Sequence, residues 1–173
     1  PIGHYAKSKY LAEKYVQENA KDYLICRAGW MMGGGPKKDK KFIQKLMNQI
    51  NNGTKELHIV NDKLGTPTYT HDFARNVNLL IKKGKTGLYN MVCQGLTSRL
   101  EVAQELIKQL GLNTGINIKE VSSDHFKKDY FAPRPASERL INAKLEQEGF
   151  DVMRDWKIAL IEYLSESYSE YLN

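Results

Sequence analysis

Apolar residues recur along the chain at two alternating spacings, a pattern typical of an α/β protein. Apolar positions three or four apart predict helices over residues 5–20, 42–50, 70–84, 98–111, 140–148 and 155–172. Short apolar runs predict strands at 23–26, 57–60, 87–92 and 116–121. The stretches 61–68 and 122–138 are polar or contain prolines, so we expect connectors there.

The first helix and the strand after it have the layout of half a parallel α/β unit. We expect the partner strands of residues 23–26 to lie outside this sequence, and residues 27–32 to continue as a loop. The loop enters Gly33-Gly34-Gly35-Pro36, which does not fit a dinucleotide cradle. Such a cradle needs Gly-x-Gly-x-x-Gly and a later acidic residue, whereas proline and a basic run follow here.

Size and composition favour one globular domain, or one domain with part of another. The chain has 173 residues, of which 41% are hydrophobic and 27% charged. No apolar run approaches the roughly 18 residues of a membrane span, so no membrane partner is expected. Cys26 and Cys93 lie in apolar surroundings without a nearby cysteine. We interpret them as reduced thiols of a cytoplasmic protein.

The net charge of +6 comes from lysines spread along most of the chain. One cluster, Lys37-Lys38-Asp39-Lys40-Lys41, is denser than the rest. It fits either a solvated loop before a helix or a rim that attracts phosphate. No nucleic-acid-binding motif accompanies it, so nucleic acid is not an expected partner.

Tyr5 and Lys9 are the first candidate chemical pair. Four residues apart on a predicted helix, they share one face. A nearby ammonium group favours the ionised form of a phenol. Such a pair can exchange a proton with a carbonyl or alcohol oxygen while a hydride moves at the carbon. The spacing alone is common, and a surface tyrosine beside a solvated lysine is the alternative.

Further motifs follow this pair in a fixed order. They are Arg27-Ala28-Gly29-Trp30, Phe42, Asn61-Asp62, Gly65-Thr66-Pro67-Thr68, Asp72-Phe73-Ala74, Thr97-Ser98, Arg134-Pro135 and Asp155-Trp156-Lys157-x-Ala159-Leu160. With Tyr5-x-x-Ser8-Lys9, their order and spacing resemble the C-terminal half of a dTDP-4-dehydrorhamnose reductase, an extended short-chain dehydrogenase/reductase. The resemblance covers nearly the whole chain.

The resemblance implies an α/β fold, the C-terminal part of a Rossmann-type extended short-chain dehydrogenase/reductase with its small α/β substrate-binding domain. Residues 1–32 would be the last helix-strand portion of the Rossmann domain, carrying the Tyr-Lys pair. Residues 33–173 would mainly form the sugar-nucleotide substrate-binding domain. The family's Gly-rich cofactor-binding half has no counterpart here. We therefore expect the isolated chain to be inactive.

The resemblance also implies roles for particular residues. NADPH or NADH would give hydride to C4 of a dTDP-4-keto-6-deoxy-sugar, with Tyr5 as general acid and Lys9 holding the nicotinamide ribose hydroxyls. Both residues would thus be catalytic and cofactor-binding. Trp30 would lie against the sugar, and Phe42 and Arg134 would belong to the nucleotide-sugar pocket. Trp30 as a core residue and Arg134 as a loop anchor are the alternatives.

Other functions stay open on the same fold. A nucleotide-sugar epimerase or dehydratase shares the Tyr-Lys chemistry, and a non-catalytic binding or regulatory subunit would use the fold to engage a partner protein. A homodimer is also open. No metal is expected, because the four histidines lack a ligand spacing such as His-Glu-x-x-His. These are His4, His58, His71 and His125.

Overall fold

A computed structural model describes residues 2–128 and 134–171. The helices in these ranges are α1 (Gly3–Asn19), α2 (Gly35–Lys38), α3 (Phe42–Asn51), α4 (Thr70–Lys82), α5 (Arg99–Gln109), α6 (Ala143–Glu148) and α7 (Trp156–Ser167). The strands are β1 (Leu24–Arg27), β2 (Trp30–Met32), β3 (Glu56–Val60), β4 (Leu64–Gly65), β5 (Pro67–Tyr69), β6 (Gly87–Asn90), β7 (Thr97–Ser98) and β8 (Asn117–Val121). Short 3₁₀ turns cover Ser123–Phe126 and Ser169–Tyr171.

The strands pair mostly in parallel. β1 pairs with β6, β2 with β5 and β3 with β8, all parallel, whereas β4 and β7 are antiparallel. Parallel strands need crossover connections, and helices supply several of them here. The predicted α/β class is therefore confirmed.

Three predictions about the strands are wrong. The partner of β1 lies within this chain, since Leu24 pairs with Gly87 and Arg27 with Asn90. Trp30–Met32, expected in a loop, forms β2, and the expected connector 61–68 contains β4 and the start of β5. These strands have two or three residues each, too few for the period-2 pattern by which a strand is recognised in a sequence.

The core lies where α5 and α7 pack on the short strands. The predicted inward face of α7 is buried, and Ala159, Leu160 and Leu164 are fully enclosed. Cys26 and Cys93 are free thiols as expected, and burial raises the pKa of the Cys93 thiol to about 12. By contrast, α1 has no buried residue. Among the described helices, none is long and apolar enough to cross a membrane.

Helix starts differ in how well the sequence predicts them. Ser98-Arg99-Leu100-Glu101 has the spacing of a capping box, and its serine half is present, because the Glu101 backbone N–H donates to the Ser98 hydroxyl at 3.1 Å. The Glu101 carboxylate accepts from that hydroxyl at 2.9 Å. Thr70, by residue type a candidate cap of α4, is instead its first residue, and the cap position falls on Tyr69. The last helix ends at Ser167, and its predicted end at Leu172 lies outside the described residues.

Candidate active site

Trp30 is held on three sides. Its indole Nε1–H donates to Glu138 Oε2 at 2.8 Å, and the Arg99 guanidinium lies 3.7 Å from the ring centroid. The Gly65 backbone also touches the ring, because a Cβ at Gly65 would stand 2.2 Å from two of its carbon atoms. Only glycine permits this approach. The orientation of Trp30 is therefore fixed by its neighbours.

Arg99 joins the two aromatic residues that the sequence assigned to the pocket. Its guanidinium is 3.7 Å from the Trp30 ring centroid and 4.7 Å from that of Phe42. The planar guanidinium of arginine stacks favourably on aromatic faces. The three residues border one shallow hollow, together with Met31, Met32, Ile43, Pro67 and Val102.

Sequence reasoning missed Arg99. In the pattern it is only the residue after the Ser98 cap. Its position at the first turn of a helix carries no sign of the two rings, which lie more than 50 positions away in sequence. A basic residue directly after a predicted cap, in a family with a nucleotide ligand, is the one signal that could have drawn attention to it.

The Gly65-Thr66-Pro67-Thr68 motif holds the segment that precedes Trp30. The Trp30 backbone N–H donates to the Thr66 carbonyl at 2.9 Å, and the Gly29 N–H donates to Thr68 Oγ1 at 3.0 Å. A Cβ at Gly29 would stand 2.4 Å from the Thr66 carbonyl oxygen. The two motifs are therefore adjacent in space, and the Thr68 hydroxyl bonds the backbone of the segment before Trp30.

Arg134 lies on the segment that reaches Trp30 from the far end of the chain. The Leu64 N–H donates to the Ala136 carbonyl, and the Glu138 N–H donates to the Leu64 carbonyl, each at 2.8 Å. These two hydrogen bonds place Glu138 beside the indole of Trp30. The Arg134 side chain is exposed, and its carbonyl accepts a hydrogen bond from Lys63 Nζ at 3.3 Å. Arg134 is four residues from Glu138, at most about 13 Å of extended chain.

Tyr5 and Lys9 share one face of α1, as predicted for this spacing. The Lys9 ammonium lies 5.7 Å from the centroid of the Tyr5 ring. The Tyr5 side chain is 77% exposed and Lys9 is also exposed. The pair thus offers a hydroxyl and a cation on an open surface. This donor set fits the hydroxyl groups of a nicotinamide ribose and a reacting oxygen.

The Tyr-Lys pair and the Trp30 hollow are separate clusters in the described part of the chain. No hydrogen bond or ring contact joins Tyr5 or Lys9 to Trp30 or Phe42 within residues 2–128 and 134–171. The link is indirect: the Arg27 side chain at the end of β1 pairs with Glu13 of α1 through two N–H donors, one of them at 2.8 Å. Arg27 precedes Trp30 by three residues.

The basic cluster leads from β2 to α3. All four lysines between positions 37 and 41 are exposed, whereas Asp39 is only 5% exposed. Met32 and Phe42, at the two ends of this segment, both border the hollow. Both interpretations of the cluster, solvated loop and phosphate-attracting rim, fit this placement.

One group of potential metal ligands was not visible in the sequence, because its members are about 90 residues apart. His71, Glu162 and Glu166 each place a ligand atom within 4.8 Å of the others. Protein groups already engage the acids: Glu162 accepts from Arg154 at 2.5 Å, and Glu166 accepts from the Tyr69 hydroxyl at 2.7 Å. The cluster is an ion-pair and hydrogen-bond network on α4 and α7.

Comparison with known proteins agrees with this architecture. The parallel strands and the helices match the fold of extended short-chain dehydrogenase/reductases, including dTDP-glucose 4,6-dehydratase of Bacillus anthracis at a TM-score of 0.73 and 19% identity. More specifically, residues 1–169 match the family model described as RmlD substrate binding domain. The chain belongs to this family.

Several relatives are similar over almost the whole chain. The spore coat polysaccharide biosynthesis protein SpsK of Bacillus subtilis is 33% identical over 95% of this chain and 55% of its own length. The dTDP-4-dehydrorhamnose reductase of Mycobacterium tuberculosis is 29% identical over 92% of this chain and 51% of its own. The chain therefore spans about half the length of the curated relatives it matches.

Solved structures of dTDP-4-dehydrorhamnose reductases also match almost the whole chain over about half of their own length. A dTDP-4-dehydrorhamnose reductase from Clostridium acetobutylicum matches 96% of this chain and 56% of its own, with a TM-score of 0.86 and 30% identity. The reductase from Bacillus anthracis in complex with NADP has a TM-score of 0.86 at 28% identity, covering 96% of this chain and 57% of its own.

Proposed function

We propose that this chain supplies the Tyr-Lys pair and the substrate-binding part of an NAD(P)H-dependent reductase that acts on a dTDP-4-keto-6-deoxy-sugar. The observation that carries the proposal is the match of residues 1–169 to the RmlD substrate binding domain, with Tyr5 and Lys9 on one helix face. The proposal includes a cytoplasmic location. A homodimer stays a prediction, which sedimentation of the full-length protein would check.

Tyr5 is the general acid in this proposal. Its hydroxyl gives a proton to the C4 oxygen as the ketone becomes an alcohol. Lys9 lies on the same face, where its N–H donors can hold ribose hydroxyls. The nicotinamide cofactor, when bound, supplies the hydride. The exposed position of both side chains leaves them accessible to such ligands.

The Trp30 hollow would take the nucleotide-sugar. Arg99 stacks on Trp30 and Phe42, so an anionic ligand entering the hollow would meet a guanidinium held by two rings. Guanidinium groups pair well with phosphate through two parallel N–H donors. We assign Arg99 to the diphosphate beside the proposed residues Trp30, Phe42 and Arg134. The lysines of the 37–41 loop would add a general positive field.

Two other functions would use the same fold. A nucleotide-sugar epimerase or dehydratase is one, since such enzymes have the same architecture: a UDP-glucose 4-epimerase of Thermotoga maritima has a TM-score of 0.70 at 19% identity. A likeness at this identity concerns the fold alone. A non-catalytic binding subunit is the other, and the Tyr5–Lys9 pair would then have no chemical role.

One assay separates the three functions. The full-length protein is mixed with a dTDP-4-keto-6-deoxy-sugar and either NADPH or NADH, and the absorbance of the reduced nicotinamide is followed. A reductase consumes one reduced cofactor per sugar alcohol formed. An epimerase or dehydratase changes the sugar without net consumption, and a binding subunit changes neither; either result would contradict the proposal. We expect the isolated 173-residue chain to consume no reduced cofactor.

A further inference from the structure

A buried carboxylate sits in the middle of the basic loop, residues 37–41. Asp39 is 5% exposed although lysines flank it on both sides. Each of its oxygens accepts a hydrogen bond: Oδ1 from the Lys41 backbone N–H at 2.8 Å, and Oδ2 from the Tyr163 hydroxyl at 2.9 Å. A buried carboxylate without such donors would be costly. Asp39 therefore ties the loop to α7.

The network continues to the first turn of α3. The Tyr163 hydroxyl lies 3.4 Å from that of Tyr168, and the Tyr168 hydroxyl donates to the Gln44 side-chain carbonyl. Both tyrosines are 1% exposed. Tyr163 thus anchors the chain at Asp39, before α3, and Tyr168 anchors it again at Gln44, within the first turn of α3. Phe42 lies between these two anchors.

The hydrogen bond from Tyr163 to Asp39 persists over the physiological pH range. Burial, followed by the hydrogen bonds with Tyr168 and Asp39, raises the pKa of the Tyr163 phenol far above its usual value. The phenol therefore stays protonated and remains a donor to Asp39. With the acid turned inward, the loop exposes only its lysines. An anion at the rim then meets positive charge without a competing carboxylate from the same loop.

We propose that Tyr163 is a positioning residue: through Asp39 it fixes the basic loop with its lysines outward and places Phe42 against Arg99. The ligand would be the diphosphate of a nucleotide, and this part of the inference rests on the proposed function. Tyr163 lies on a different helix from every residue assigned to the site. Its effect would reach the ligand only through the loop and the start of α3.

The test replaces one hydroxyl group. Tyr163→Phe removes the donor to Asp39 while keeping the ring in the core. Tyr89→Phe is the matched control, because Tyr89 is also 1% exposed and its hydroxyl donates to a carboxylate, Glu148, at 3.2 Å. Glu148 is far from the loop in sequence and lies on α6. Each variant loses one phenol-to-carboxylate hydrogen bond, but Tyr163→Phe should cost more stability, because Asp39 is buried whereas Glu148 keeps its ion pairs with Lys85 and Lys144.

Two readouts are measured on the chain and its variants. Trypsin cleavage after the loop lysines should become roughly 10- to 100-fold faster in Tyr163→Phe, because one hydrogen bond to a charged group is removed, and unchanged in Tyr89→Phe. The Kd for dTDP, measured by calorimetry, should weaken by a similar factor only in Tyr163→Phe. In the full-length enzyme, KM for the sugar nucleotide should rise with kcat unchanged.

The outcomes separate the inference from the proposed function. Equal loop cleavage in Tyr163→Phe and the parent chain would overturn the positioning role, whatever the chain binds. Faster cleavage with an unchanged Kd for dTDP would overturn the link to the ligand site. If the parent chain binds no dTDP, the proposed function is contradicted while the cleavage result stands. If Tyr163→Phe does not fold, the trypsin cleavage rate and the Kd for dTDP are measured on Asp39→Asn instead, with the same expected results.

Discussion

The guanidinium of Arg99 lies 3.7 Å from the centroid of the Trp30 ring. It is also 4.7 Å from the ring of Phe42, so a cation joins two aromatic residues from separate elements. The family resemblance placed each ring in a ligand pocket but did not place the cation between them. The Arg99 guanidinium beside Trp30 would favour an anionic group at this position.

Removing this cation should weaken nucleotide binding. Arg99→Leu keeps much of the side-chain bulk but removes the charge and the N–H donors. Hydrogen bonds to charged groups contribute about 1.5–3 kcal/mol, so we expect the Kd for dTDP to rise roughly 10- to 100-fold. Calorimetry on the chain measures this. Arg75→Leu is the control, because Arg75 is an exposed arginine on α4. Equal Kd values for the two variants would remove Arg99 from the ligand site.

A methyl group at Gly65 should displace Trp30. Its Cβ would stand 2.2 Å from two ring carbons, a distance that the indole cannot tolerate without moving. Overpacking of this kind costs about 1–3 kcal/mol. Gly115→Ala is the matched control, since the nearest atom to its Cβ would be 3.9 Å away. Urea unfolding gives the stability of each variant, and Trp30 fluorescence in a Trp156→Phe background reports the ring. A Gly65→Ala protein with unchanged stability and spectrum would contradict the packing described.

The buried Asp72 carboxylate should depend on Arg154. Asp72 is fully enclosed and accepts from Arg154 Nε at 3.0 Å and from Nη2 at 2.7 Å. Arg154→Leu would leave the carboxylate buried without its main partner, at a cost of about 3–5 kcal/mol.

Arg75 is the control for this pair as well. It lies 3.4 Å from Asp72 but is 55% exposed, so Arg75→Leu should cost less than about 1 kcal/mol. Denaturant midpoints at constant slope compare the two variants. Equal losses would mean that Arg154 does not provide the main compensation for the buried charge.

The two thiols should differ in reactivity. Burial raises the pKa of Cys93 to about 12, and the thiol is 1% exposed. Burial also raises the pKa of Cys26, which is only half-buried. Because the thiolate is the reactive form, iodoacetamide at about pH 8 should modify Cys26 first and Cys93 only after unfolding. Mass spectrometry of timed samples measures both rates. Modification of Cys93 in the native chain at the rate of Cys26 would contradict its enclosed position.

The sequence predicted the long elements well because they depend on local patterns, and it indicated the family through the order and spacing of its motifs. The 3.6-residue period of α7 and the Ser98 cap of α5 lie within single elements, and the structure confirms them. The strand around Trp30 was missed because three residues show no period. What makes Trp30–Met32 a strand is its pairing with Pro67–Tyr69, far along the chain.

The side-chain partners were less accessible to sequence reasoning. Asp39 looked like part of a solvated basic run, yet it is buried and accepts a hydrogen bond from the hydroxyl of Tyr163, which is 124 residues away. The burial of Tyr163 on α7 was predictable from its spacing, whereas the partner of its hydroxyl was not. Arg99 had no local feature that distinguishes a helix-start arginine from one that bridges two rings. Tyr5 and Lys9 remain predicted catalytic residues, together on α1.

The kcat of the full-length protein carrying Tyr5→Phe tests the proposed reductase most directly. Phenylalanine keeps the ring and removes only the hydroxyl whose proton the C4 oxygen would receive, so we predict a loss of about 10²- to 10⁴-fold in reduced-nicotinamide oxidation with a dTDP-4-keto-6-deoxy-sugar. Tyr15→Phe is the matched control, because Tyr15 is 69% exposed on the same helix. A Tyr5→Phe enzyme as fast as Tyr15→Phe would show that the Tyr5 hydroxyl does not protonate the sugar.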